Sequence, residues 1–313
     1  MPRLRFLRLL LALALLLILG NALTQPASAA SKRVAYYYQT QYYNGNYISL
    51  ASIWKQLDKQ THKPITTDVM VAAFHLGYNT NGTPYIHLND NVPSDPMFKV
   101  MWKQVATLQK HGVTVRMMLG GAAQGSYQDL FSHWDTFYPI LKHTLRHYKL
   151  NGIDLDIEET VSLADAKKLI DQLNKDFGKK FIMTMAPVAS ALWGGSNLSG
   201  FSYLDLNKSP EGKRINWFNG QFYSGFATLE TPSDYEHAAE YFPADKIVAG
   251  MLSNPLNGNG FVPLNTVAKT LKKLVAKYPT FGGVSAWEYF NSLPGGLPDP
   301  VKWGAYMAKA MGK

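Results

Sequence analysis

Asn151-Gly152-Ile153-Asp154-Leu155-Asp156-Ile157-Glu158 places three acids at alternating positions, with Ile, Leu and Ile between them. On a β-strand this spacing sends Asp154, Asp156 and Glu158 to one face and the three apolar side chains to the other. Carboxylates about 6–7 Å apart raise one another's pKa, so the cluster is costly. It is also useful, because a carboxyl with a raised pKa still has a proton to donate near neutral pH. The octapeptide alone has three readings: an amphipathic strand with a solvated acidic face, a proton-transfer site, or a divalent-cation site built on Asp-x-Asp oxygens. An EF-hand loop is disfavoured, since Leu155 to Thr160 lacks the glycine such a loop needs.

The flanking sequence alternates apolar runs of strand length with segments of helical periodicity. Strands are expected at Val34 to Tyr38, Asp68 to Leu76, Val113 to Leu119, Gly152 to Glu158, Phe181 to Pro187, Asn216 to Tyr223, Lys246 to Leu252 and Gly283 to Trp287. Helices are expected at Leu50 to Gln60, Met97 to Lys110, Asp129 to Tyr148, Leu163 to Phe177 and Thr266 to Lys277, with a short one at Tyr235 to Tyr241 and a last one at Pro300 to Met311. Strand-helix alternation implies a parallel sheet, and eight such units imply a closed (β/α)8 TIM barrel without an inserted α+β domain. In such a barrel outward side chains lie under helices and inward ones fill the centre. Asp154, Asp156 and Glu158 then point inward, with Glu158 at the C-terminal mouth where barrel active sites form.

The N-terminus reads as an export signal: Arg3, Arg5 and Arg8, an apolar run from Leu9 to Leu19, and the small-residue pattern Ala27-Ser28-Ala29. Residues 1–29 are assigned to the signal and 30–313 to the barrel, giving a secreted protein; an uncleaved anchor is the alternative. The chain of 313 residues carries a formal charge of +9 and no cysteine. Disulfides, thiolate metal sites and a cysteine nucleophile are therefore excluded. An exported chain free of cysteine fits a bacterial surface, and Asn81-Gly82-Thr83 and Asn197-Leu198-Ser199 would be glycosylation sequons only in a eukaryotic host. The basic balance is compatible with weak association with a cell wall or anionic surface, but no dense Lys/Arg block suggests nucleic acid.

Several segments together resemble glycoside hydrolase family 18, the chitinases and endo-β-N-acetylglucosaminidases. The octapeptide resembles the family's Asp-Gly-x-Asp-x-Asp-x-Glu signature, with Asn151 in place of its first Asp. Leu119-Gly120-Gly121 resembles the Ser-x-Gly-Gly element, Met185-Ala186-Pro187 the end of the fifth strand, and Gln221-Phe222-Tyr223 the sixth-strand Gln-x-Tyr. Trp287 falls at the eighth-strand Trp. The resemblance implies Glu158 as general acid and the substrate's own 2-acetamido oxygen as nucleophile, giving an oxazolinium intermediate and retention. It implies that Asp156 orients the acetamido group, Asp154 supports Asp156, Tyr223 and Gln221 hold the acetamido carbonyl, and Trp287 floors the sugar. Gly120, Gly121, Phe74, His75, Tyr38, Met185 and Asn219 are further expected sugar contacts. No metal or cofactor is implied, and the partner is a GlcNAc-containing oligosaccharide or glycoprotein glycan met by a monomer.

Only about a dozen residues separate the seventh strand from the helix at Thr266, which predicts an open, shallow cleft. That suits endo-cleavage of a bulky glycan, and Ala72-Ala73-Phe74-His75-Leu76 with Met118 to Ala123 is similar to microbial endo-β-N-acetylglucosaminidases of the family. Chitinase is the alternative, and a non-catalytic lectin on the same barrel is the rival from another class. An esterase is disfavoured by the lack of a Gly-x-Ser-x-Gly elbow, and a metallohydrolase by the lack of a His-x-x-x-His pair with a Glu partner.

Overall fold

The computed structural model describes residues 32–313, so the expected signal segment lies outside the described residues. Eight parallel strands form the centre: β1 (Arg33–Tyr38), β2 (Asp68–Tyr78), β3 (Thr114–Gly120), β4 (Gly152–Asp156), β5 (Ile182–Met185), β6 (Trp217–Gln221), β7 (Ile247–Leu252) and β8 (Gly283–Trp287). Each pairs in parallel with the next, and β1 pairs with both β2 and β8, which closes the barrel. Closure removes every open edge from the eight strands.

The helices between them are α1 (Ala51–Lys55), α2 (Lys99–Lys110), α3 (Ser126–Ser132), α4 (Trp134–His147), α5 (Leu163–Phe177), α6 (Tyr203–Lys208), α7 (Ser233–Ala239), α8 (Leu264–Lys277) and α9 (Lys302–Ala310). α1 is shorter than its sequence suggests. The Asp58 carboxylate accepts from the amides of Gln60 and Thr61 and from the Thr61 hydroxyl, and this local turn competes with another helical turn. The run expected as one helix from Asp129 to Tyr148 is two, broken at His133, whose backbone is non-helical. α6 is additional, and Ser202 caps it by accepting from the Asp205 amide at 3.1 Å. Beyond the barrel rim β2 continues into a hairpin with an antiparallel strand, Pro84–Leu88.

Two apolar regions follow from strand alternation. Ile153, Leu155 and Ile157 lie in the large layer between strands and helices, as the octapeptide requires. Inside the barrel a smaller cluster joins Ala35, Tyr37, Met70, Ala72, Ala73, Met118 and Ala186, with Trp287 against it. The base is closed by polar groups: buried Arg116 meets Asp68 at 2.6 Å, and its guanidinium lies 4.5 Å from the centre of the Trp217 ring. Arg33 packs against the same indole at 3.9 Å. Among the described residues no helix is long and apolar enough to cross a membrane.

Candidate active site

β4 delivers the three acids to different depths. Asp154 is wholly buried, and its Oδ2 accepts from the Tyr37 hydroxyl at 2.6 Å. Its Oδ1 accepts from Asn219 Nδ2 at 3.0 Å and from the Thr184 hydroxyl. Asp156 is next up the barrel, and Glu158, beyond the strand end, is partly exposed in the mouth. A single amide links these two: Gln221 Nε2 lies 3.2 Å from Asp156 Oδ1, 3.0 Å from Glu158 Oε1 and 2.9 Å from the Ala186 carbonyl. Two hydrogens serve three acceptors, so Gln221 draws both carboxyls toward one point.

Environment separates the two aspartates. Burial raises both. For Asp154 the charge of Arg116 and the three donors Thr184, Tyr37 and Asn219 work against burial. Asp156 is pushed well above the carboxylate range by burial and then by the charges of Glu158 and Asp154, with only Gln221 opposing. Asp154 is therefore the better-supported anion of the two aspartates. Tyr223 is also raised well above its usual value, by burial first and then by the charges of Asp156, Glu158 and Asp154. Its hydroxyl remains a neutral donor.

The cleft around Glu158 has a volume of about 270 Å³ and is bounded by Trp287, Tyr223, Gln221, His75, Gly120 and Gly121, with Met118, Leu198 and Phe226 adding apolar wall. Gly120 has φ +92°, and a Cβ there would stand 2.3 Å from the Asp156 carbonyl oxygen. Its neighbour Gly121 donates its amide to that same carbonyl at 2.9 Å. Asn151, at the position where the family signature has Asp, accepts from the Val115 amide at 2.8 Å and so ties the entry of β4 to β3.

Three expected contacts are corrected. Tyr38 is fully buried outside the barrel, donating to the Ile48 carbonyl at 2.6 Å; Tyr37 is the inward tyrosine, because alternation along β1 sends Val34, Tyr36 and Tyr38 under the helices. Phe74 is likewise in the outer layer. The register of β2 shifts between Val71 and Phe74, so Ala72 and Ala73 both face inward and the alternation restarts one residue late. Met185 packs outward with Met183, whereas Thr184 and Ala186 face the centre. Asn219 is inward but deep, spent on Asp154 and on the Trp217 indole N–H, which donates to it at 3.0 Å. His75 does reach the mouth, and burial lowers its pKa, favouring the neutral ring. Tyr37, Thr184, Gln39 and Asn257 were not singled out from sequence; strict alternation along β1 and β5 would have found the first two.

Among the described residues no three acidic or histidine side chains gather as a metal site. No family model matches the sequence. A solved structure of a fungal endo-β-N-acetylglucosaminidase from glycosyl hydrolase family 18 matches with a TM-score of 0.81 and 39% identity, covering 90% of this chain and 98% of that one. The chain belongs to glycoside hydrolase family 18. A chitinase from Aspergillus fumigatus matches with a TM-score of 0.78 and 40% identity over 90% of this chain and 99% of its own. An endochitinase of Trichoderma harzianum is 31% identical over 61% of this chain, a match that spans 63% of the relative's length. These three relatives are fungal, so the expectation of a bacterial source finds no support in them.

Proposed function

We propose that the protein is a secreted retaining glycosidase cleaving β-1,4 bonds at N-acetylglucosamine by substrate-assisted catalysis, an endo-β-N-acetylglucosaminidase acting on the N-glycan core. The observation that carries this is the placement of Glu158 in the mouth, joined through one Gln221 amide to the buried Asp156, beside Tyr223 and Trp287.

In this reading Glu158 protonates the glycosidic oxygen as the C1–O bond breaks, while the acetamido oxygen bonds to C1. The Tyr223 hydroxyl donates to that oxygen and fixes its line of approach. Asp156 accepts from the acetamido N–H as positive charge develops, a role that requires it to pass its own proton toward Glu158. Water then bonds to C1 as the bond from C1 to the acetamido oxygen breaks, and the Glu158 carboxylate takes a proton from that water. Trp287 offers an apolar face to the sugar ring.

A linear or a branched glycan would meet different walls. From the cleft a wider trough of about 530 Å³ continues past Gln39, Thr40, Asn89, Asp90 and Asn91. Hydroxyl-rich sugars suit this amide and carboxylate lining, and the segment between Leu252 and Leu264 forms no domain that would roof the trough. Chitinase is the second reading, favoured by the Aspergillus chitinase and the Trichoderma endochitinase among its relatives.

The deciding experiment incubates the protein with a high-mannose glycoprotein and a chitin hexasaccharide together, followed by mass spectrometry. Glycan release leaving one GlcNAc on the glycoprotein supports the proposal, and shortening of the hexasaccharide alone replaces it with chitinase. Glu158→Gln should lower turnover by more than about 10³-fold while sugar binding persists. Survival of both substrates would leave a sugar-binding protein on the same barrel.

A further inference from the structure

Two buried glutamates have no part in that scheme, yet each directly follows a residue of the cleft. Glu159 comes after the acid Glu158, and Glu288 after Trp287; they are 8% and 6% exposed. Each turns away from the cleft and takes two consecutive backbone amides of a neighbouring segment, the start of α3 for Glu159 and the loop after β1 for Glu288. Glu159 Oε1 accepts from the Tyr127 amide at 2.9 Å and Oε2 from the Gln128 amide at 3.2 Å. Glu288 Oε2 accepts from the amides of Gln39 at 3.2 Å and Thr40 at 2.8 Å, and Oε1 accepts from the Thr40 hydroxyl at 2.8 Å.

We infer that Glu159 and Glu288 are positioning residues that hold the cleft from behind, Glu159 aiming the acid and Glu288 setting the sugar-binding wall. The inference rests on the hydrolytic reading above. A carboxylate that accepts amides on both oxygens fixes the distance and the angle between two segments, and a neutral amide in its place offers only one acceptor oxygen.

The two grips act on different parts of the cleft. Glu159 joins the end of β4 to the start of α3, just after the loop of Gly121, Ala122 and Ala123 that lines the cleft. Gln124 reinforces the same junction by donating its side-chain amide to the Glu158 carbonyl at 2.8 Å. Loosening this junction moves the proton donor relative to the bond it must protonate. Glu288 instead joins the end of β8 to the loop after β1, which presents Gln39 to both the cleft and the trough. Loosening it moves a wall that binds sugar but leaves Glu158, Asp156 and Gln221 in place.

The test compares Glu159→Gln and Glu288→Gln by steady-state kinetics on whichever of the two substrates the wild type cuts. Chitin-hexasaccharide affinity is measured by calorimetry with Glu158→Gln added to each, so that nothing is cut. Glu159→Gln should lower kcat about thirtyfold with KM within threefold, and calorimetry should find about one site per chain at unchanged affinity. Glu288→Gln should raise KM and the dissociation constant about tenfold with kcat within threefold. Stoichiometry falling in step with kcat, or one signature shared by both variants, would show a merely structural role and overturn the inference. If Glu159→Gln does not fold, Glu159→Asp keeps the charge, shortens the reach and is read the same way. If the wild type cuts neither substrate, the hydrolytic reading fails and the Glu159 half with it, while the hexasaccharide affinity still decides the Glu288 half.

Discussion

Removing the Tyr37 hydroxyl should cost measurable stability at a buried position. That hydroxyl is the donor to Asp154 Oδ2 at 2.6 Å, whereas Thr184 and Asn219 both serve Oδ1. Tyr37→Phe keeps the ring against Trp287, whose centre is 5.5 Å away, and leaves a buried anionic oxygen without its donor. Hydrogen bonds to charged groups contribute about 1.5–3 kcal/mol, so a loss of about 2 kcal/mol is expected. For a chain of this size that lowers Tm by roughly 5 °C. The loss should also depend on pH. Without Tyr37 the Asp154 carboxyl rises further, and a raised folded-state pKa gives stability that is complete below the unfolded value of about 4 and is lost as pH rises through the folded one. Thermal unfolding of both proteins at pH 4 and pH 7 should therefore show the larger gap at pH 7. In an Asp154→Asn background the same change should cost about half as much, since the bond is no longer charge-assisted. Equal losses in both backgrounds, or a loss under about 0.5 kcal/mol, would refute the assignment of Tyr37 as the support of that anion.

Asp156→Asn should gain Tm relative to the wild type as pH rises from 4 to 8, because burial and the charges of Glu158 and Asp154 make ionised Asp156 costly; a gap independent of pH would count against this. Gly120→Ala should cost more than about 3 kcal/mol, since its Cβ would meet the Asp156 carbonyl, whereas Gly125→Ala, also at positive φ but with nothing within 4 Å, should cost about 1 kcal/mol. Denaturant melts giving the two equal losses would show that close approach is not the constraint. Made in a eukaryotic secretory host, the protein should carry a glycan at Asn81 and none at Asn197. Asn81 is exposed, while the Asn197 side chain donates to the Phe201 carbonyl and accepts from the Ser199 amide at 2.8 Å. Peptide mapping that finds Asn197 occupied would contradict this.

The strands were legible because burial on both faces writes itself as apolar runs, and the acids of β4 were legible because a barrel strand offers alternating carboxyls no solvated face below its mouth. What escaped notice depends on register. The residue slipped into β2 between Val71 and Phe74 moved Phe74 outward, and nothing in Ala72-Ala73-Phe74 marks that slip. Tyr38 and Met185 were chosen from strands whose parity was readable, since Thr184 and Ala186 flank Met185 on the other face. Glu159 follows the acid and faces away from the cleft, but only the folded chain brings the amides of Tyr127 and Gln128 to it. Helix ends set by side chains, such as Asp58 stopping α1, were lost because periodicity carries no record of a competing turn.

The plug of Arg116, Asp68 and Trp217 makes the barrel a vessel with one opening. Asp154 and Asp156 are buried below the mouth that Glu158 lines, so a sugar seated there would lie over both. Covered in this way, the two aspartates should exchange protons with solvent more slowly in the complex than in the free protein. A pH titration of such a vessel is recorded at the door: kcat/KM should vary with pH while kcat stays nearly flat over the same interval.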